Sequence, residues 1–262
     1  MGRRAAQLRA ARSRAGAATP FTITFAGTTP ATVVLHAEYT GPAVPAQALY
    51  DAGDGNWTAY TSNTITLAGS YLRFSGDWRT AAGTYQAMFK SALAGGGYTC
   101  VFSGTLEGAA TASSAYYEIF RDCTSVVSIA ENPFQPITGA PAAYMFSYAC
   151  SGMSGVTGSL PAGFLDTSGL TGAPATYMFR YACYNMSGVT SGDIVIGAGI
   201  TLTSANVVGP LSNMFSGAAN WTGQLYWGSD VIHTVLTPDS DIDTFAGCTS
   251  MPDFATIDAN WK

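Results

Sequence analysis

Between residues 20 and 80, apolar side chains fall on every second position. Phe21, Ile23 and Phe25 share one face of an extended run. Val33, Leu35 and Ala37 do the same, as do Ile65 and Leu67, then Leu72 and Phe74. Turn-forming groups separate these runs: Gly27-Thr28-Thr29-Pro30, Gly41-Pro42, Asp54-Gly55-Asn56 and Ala68-Gly69-Ser70. Short alternating strands at that spacing predict a small antiparallel β-sandwich over residues 17–82. Trp57 and Trp78 are expected to pack in or beside its core.

From about residue 85 alternation gives way to repetition. The stretch AAYMFSYACSGMSGVTG (142–158) returns thirty-three residues later as ATYMFRYACYNMSGVTSG (175–192). Aligned on phenylalanine, the unit occurs at Phe89, Phe120, Phe146, Phe179, Phe215 and Phe245, at intervals of 31, 26, 33, 36 and 30 residues. Three or four residues further on comes a small side chain: Cys123, Cys150, Cys183, Ala219 or Cys248. Apolar residues then follow each cysteine at +3 and +6: Val126 and Ile129, Met153 and Val156, Met186 and Val189, Met251 and Phe254. The Tyr/Met-Phe segment is expected to make a short helical turn, entered at Pro141 and Pro174, whose missing N–H is harmless there. Cysteine, small and apolar, would close that turn onto its neighbours, and the next apolar residues would begin a strand. One such unit cannot bury these groups, whereas several stacked units can.

Met-Phe-x-x-Cys or Phe-x-x-x-Cys, followed by apolar residues at three-residue steps, resembles the BspA-type leucine-rich repeat over about residues 85–255. The segment Pro-Phe-Thr-Ile-Thr-Phe-Ala-Gly (20–27) resembles the β-domain that often precedes such repeats in surface proteins of gut bacteria. The resemblance implies a β-rich α/β chain, with an N-terminal β-sandwich followed by an irregular leucine-rich-repeat solenoid over 83–262. It also implies a non-catalytic recognition or adhesion role. The chain departs from the pattern in its wandering repeat length, its Met, Val and Ala in place of leucines, and Ala219-Asn220-Trp221 in the fifth unit.

Charge changes the picture next. Only 10% of the residues are charged, against roughly 25% in typical soluble domains, a surface chemistry suited to extracellular or virion proteins. Arg3, Arg4, Arg9, Arg12 and Arg14 put +5 on a basic arm (1–16), leaving six basic against sixteen acidic residues, a net −10, on the remainder. Such an arm suits docking to an acidic protein surface; without aromatics to stack on bases, it does not favour nucleic acid. A short solvated helix is the plainer reading of the same residues. No secretory h-region follows the arginines, and no uninterrupted apolar run is long enough for a membrane span.

Candidate chemistry is sparse. His36 and His233 lie in apolar runs and are expected to be structural. No nucleophile elbow, P-loop or zinc-ligand spacing is present, so no enzyme and no cofactor are expected. Asp239, Asp241 and Asp243 alternate as calcium ligands can, but lack the glycine and glutamate of an EF-hand loop; they would equally cap a helix at Thr244-Phe245. Trp221, Tyr226 and Trp227 form the densest aromatic group that could face a ligand. Two functions remain: a bacteriophage head-fibre, decoration or tail-associated receptor-binding protein, located in the virion, or a secreted bacterial cell-surface adhesin. In the first, the arm would meet capsid or tail proteins and the repeats a host protein or glycan, with homo-oligomerisation a further option.

Overall fold

A computed structural model of the protein describes residues 19–108, 110–134, 137–240 and 242–262. The chain is β-rich. Its strands are β1 (Phe21–Gly27), β2 (Thr32–Val34), β3 (Leu49–Asp51), β4 (Thr58–Ala59), β5 (Thr64–Thr66), β6 (Tyr71–Ser75), β7 (Tyr98–Ser103) and β8 (Val126–Ile129). The shorter strands β9 (Thr138–Gly139), β10 (Gly158–Ser159), β11 (Gly169–Leu170), β12 (Val189–Ser191), β13 (Ile194–Ile196), β14 (Leu225–Trp227) and β15 (Asp230–Val231) follow. Two single-turn helices, α1 (Val208–Leu211) and α2 (Ile232–Val235), complete the elements used below.

Alternation places β1 at the centre of a six-stranded sheet ordered β4-β3-β6-β1-β7-β8, with Phe21, Ile23 and Phe25 on its buried face. Ile23 lies opposite Leu72 on one side and Phe102 on the other, both pairings antiparallel. A separate antiparallel pair, β2 and β5, matches buried Val33 with buried Ile65. Ala37 departs from the expected face and is exposed, because the chain turns at once, with Tyr39 N–H donating to the His36 carbonyl at 3.0 Å. Trp78 is buried, as expected.

The expected boundary at residues 82/83 does not divide the sheet or the core. β7 and β8 belong to the repeat region, yet β7 pairs with β1 along six residues and β8 runs parallel to β7. The Phe21 ring contacts Phe74 and Phe102 of the sheet, and also Phe89 and Phe120 of the first two repeats, at centroid distances of 5.2–6.0 Å. A lone sheet of short strands leaves one face bare, and the first repeats cover it.

The Tyr/Met-Phe segments are tandem β-turns, not helical turns. Met88, Lys90 and Ala92 donate to the carbonyls three residues earlier, Tyr85, Ala87 and Phe89. Every second turn carries a left-handed residue at its third position, here Ala87 and Ser91, as a type II turn requires. The intervening N–H groups point sideways: Tyr85, Ala87, Phe89 and Ser91 donate to carbonyls of Ala115, Tyr117, Ile119 and Arg121 in the next repeat. A helix would spend those donors on itself; here they join one segment to the next, which satisfies the backbone across the stack. Pro141 and Pro174 precede the first of these turns in their repeats rather than a helix.

This bonding fixes the register, and it corrects the alignment on phenylalanine. Phe89, Phe120, Cys150, Cys183 and Phe215 each donate to the residue before the next member of one inward column, which ends at Phe245. Phe146 and Phe179 belong to the neighbouring column, four residues earlier, where they stack on Tyr116 and each other at 5.1 and 5.5 Å with planes 9° and 3° apart. Cys123 and Cys248 sit one turn later than Cys150 and Cys183; their thiols donate to the Phe89 and Phe215 carbonyls of the preceding repeat. The matching small residue of the fifth repeat is buried Ala218, whereas Ala219 is exposed. All nine proposed core residues, Phe120, Cys123, Phe146, Cys150, Phe179, Cys183, Phe215, Phe245 and Cys248, are nevertheless buried.

Beyond the turns, parallel pairs join successive repeats: β9 with β11, β10 with β12, and β13 with β14. The recurring Met-Ser-Gly-Val-Thr stretch has a steric cause here. A Cβ at Gly155 would overlap the Thr124 carbonyl, and one at Gly188 the Val156 carbonyl, so only glycine lets consecutive backbones approach this closely.

Candidate functional site

The aromatic group expected to face a ligand is dispersed by the fold. Trp221 is fully buried, stacked on Phe215 at 4.1 Å with its Nε1–H donating to the Gly192 carbonyl, so it offers no surface. Tyr226 and Trp227 are adjacent on β14 and so point to opposite faces. Trp227 packs against the core and donates to the Ile200 carbonyl at 2.9 Å. Asp239 and Asp243 are exposed, and Asp241 lies outside the described residues. No three His, Cys, Asp or Glu side chains among the described residues come together as a metal site. Nor do Asp239 and Asp243 cap a helix, because Asp243 has a left-handed φ of 50° and opens a further turn segment at Thr244-Phe245. Arg3, Arg4, Arg9, Arg12 and Arg14 lie outside the described residues.

His36 accepts from the Glu38 N–H through Nδ1. His233 has Nε2 3.4 Å from Asp253, while its buried Nδ1 lacks a partner. Burial lowers its pKa, against the pull of Asp253. All five cysteines are buried and unpaired, and burial pushes the Cys100 and Cys248 thiols up to about 12, far from nucleophilic use.

The turn segments present a different surface. In the third and fourth repeats the left-handed positions are held by tyrosines: Tyr144, Tyr148, Tyr177 and Tyr181, with φ of 56°, 55°, 54° and 57°. Side chains two residues on, such as Phe146 and Cys150, point inward, and the tyrosines stand outside, Tyr144 at 38% exposure. Elsewhere this position holds Gly152, Gly217 and Gly247, Asp122, Asn185, Asn213 and Asp243, which tolerate it, or Ala87, Ser91, Ser114 and Glu118; only in these two repeats is it aromatic among the described residues. An aromatic side chain there costs about 1–2 kcal/mol in backbone energy, and none of the four rings repays it with full burial.

The rings line up across the two repeats. Tyr148 and Tyr181 stack at 4.8 Å with planes 18° apart, and Tyr144 lies 5.5 Å from Tyr177. Arg180 covers Tyr177 and Tyr181 at 4.6 and 5.0 Å, and Arg121 covers Tyr148 at 5.0 Å. Arg121 is occupied: with Lys90 it pairs to buried Glu118, and those cations hold the Glu118 carboxyl below its usual pKa in spite of burial. Arg180 forms no ion pair among the described residues, and its buried Nε lacks an acceptor. The four tyrosine hydroxyls make no hydrogen bond to the described protein. The sequence carried a signal for this face in the Tyr-x-x-x-Tyr spacing of both copies, 144/148 and 177/181. Reading those segments as helical turns hid it.

No protein-family model, no curated protein and no solved structure matches this chain.

Proposed function

We propose that this chain is a non-catalytic recognition protein of a bacteriophage particle, a head fibre, decoration or tail-associated receptor-binding component. Its hydrogen-bonded turn segments read as an irregular leucine-rich-repeat solenoid, resting on a sandwich-like N-terminal unit. The observation that carries the reading is the outward tyrosine row at left-handed positions. Backbone strain kept at an exposed surface, where it adds nothing to the core, points to selection for contact. The basic arm supplies the attachment: +5 in the first fourteen residues meets an acidic capsid or tail surface, while the remaining −10 keeps the body from folding onto that surface.

Deleting residues 1–16 should abolish co-sedimentation with bare particles from the same source and leave the far-UV circular dichroism of the body unchanged. Incorporation of the full chain should weaken between 0.1 and 1 M salt, as the Debye length shrinks from about 10 Å to about 3 Å. Equal incorporation of both forms would remove the anchor and favour the surface-adhesin reading, which uses the same tyrosine row but needs no particle.

A further inference from the structure

We propose that Tyr144, Tyr148, Tyr177, Tyr181 and Arg180 form a binding site for a carboxylate-bearing saccharide. The inference rests on reading the turn face as a recognition surface, and it adds the class of ligand.

The four rings form a two-by-two array, Tyr144 beside Tyr177 and Tyr148 stacked on Tyr181, with Arg180 lying over the two rings of the fourth repeat. Tyrosine gives the array both halves of sugar chemistry. Ring faces and edges left uncovered by the stacking and by the arginines can meet the apolar C–H face of a pyranose, and hydroxyls that bond no described protein group are free to bond its hydroxyls. Arg180 sets the charge requirement. Its guanidinium carbon lies 4.6 and 5.0 Å from two ring centroids and has no carboxylate among the described residues, and a guanidinium is the planar group that matches a carboxylate. Nearby charges leave that requirement intact, since Lys90 and Arg121 are matched by Glu118 and Asp122.

Other partners fit less well. One unmatched cation is too few for a polyphosphate backbone, whose binding scales with the number of phosphates neutralised. A polyacidic peptide would bring several charges toward a body carrying −10 outside the arm, for a single guanidinium in return. A saccharide with one carboxylate per residue or per chain matches one arginine among several ring faces.

The full-length protein is titrated calorimetrically with two acidic probes, tri-galacturonate and 3′-sialyllactose. Their uncharged counterparts are methyl-esterified tri-galacturonate and lactose, and poly-glutamate serves as the acidic peptide. At least one acidic saccharide should bind, and its neutral counterpart should bind about 10–100-fold more weakly, the worth of a charge-assisted hydrogen bond. Arg180→Gln should lose the same factor for the acidic probe and change little for the neutral one. Tyr148→Gly, whose backbone suits the left-handed turn, should weaken both, and Tyr226→Ala, off this face, should weaken neither. The proposal is overturned if neither acidic saccharide binds, if acid and ester bind equally, if Arg180→Gln binds as the parent does, or if only poly-glutamate binds. Particle incorporation uses the arm, so loss of sugar binding with incorporation intact sinks the site and spares the assembly role.

Discussion

His233 gives the molecule a pH signature that a single side chain can account for. Burial lowers its pKa below the ordinary 6.5, and Asp253 at 3.4 Å only partly opposes this. As pH falls through 6.5 the unfolded chain takes up a proton that the folded chain resists, so the contribution is complete above that value and fades below it. Urea midpoints should therefore drop between pH 7.5 and 5.5, above the range where the lowered Asp51 and Glu118 carboxyls begin to lose their contribution. His233→Gln should flatten that drop; an undiminished drop in the variant would place the proton elsewhere. At this scale inwardness was legible and equivalence was not. Phe146 and Cys150 both fill inward positions four residues apart, so either aligns with Phe120 by eye, and only the Phe120 N–H, donating to Ala149, decides for Cys150.

Elements repeat because one backbone must lie against the next, and Gly188 is one place where that contact leaves no room for a side chain. Gly188→Ala places a methyl group on the Val156 carbonyl and should cost about 1–3 kcal/mol, the range for overpacking a rigid contact. Gly139→Ala, where an added Cβ meets nothing within 4 Å but φ is +102°, separates steric contact from backbone strain. Chemical denaturation of both reads the difference; a Gly188→Ala chain as stable as its parent would mean the coils can part without loss. β1, β2, β5 and β6 were readable from period-two alternation, whereas the short strands β3 and β4 were not. The turn segments were not, because the left-handed corners hold Tyr, Ser, Glu and Ala at Tyr144, Ser114, Glu118 and Ala87 instead of the Gly or Asn that usually announces a type II turn.

Across the whole molecule, the sheet and the stack depend on each other. Residues 17–82 alone would keep β1 through β6 but lose β7 beside β1 and the rings of Phe89 and Phe120 against Phe21. That fragment should show no cooperative thermal transition by circular dichroism, and a cooperative melt would restore the boundary that the change from alternation to repetition suggested. Nothing in sequence spacing could have joined the two parts, since the pairing of Ile23 with Phe102 spans a change of pattern.

The sideways hydrogen bonds have one more consequence. In the turn segments from Tyr85 to Phe245, the alternate peptide N–H groups that bond the next repeat point toward the C-terminal end of the stack, and the carbonyls that accept them point back toward the N-terminal end. Peptide dipoles aligned in this way add, as they do along a helix, leaving partial positive charge at the last coil and partial negative charge at the first. The charged side chains match this at the closing end. At the opening coils Lys90 and Arg121 are balanced by Glu118 and Asp122, while Asp239, Asp243, Asp253 and Asp258 gather at the closing ones, where Asp258 accepts from the Asn260 N–H. Asp239 and Asp243, which resemble part of a cation loop in one dimension, lie in three at the end of the stack where the turn-segment dipoles leave partial positive charge.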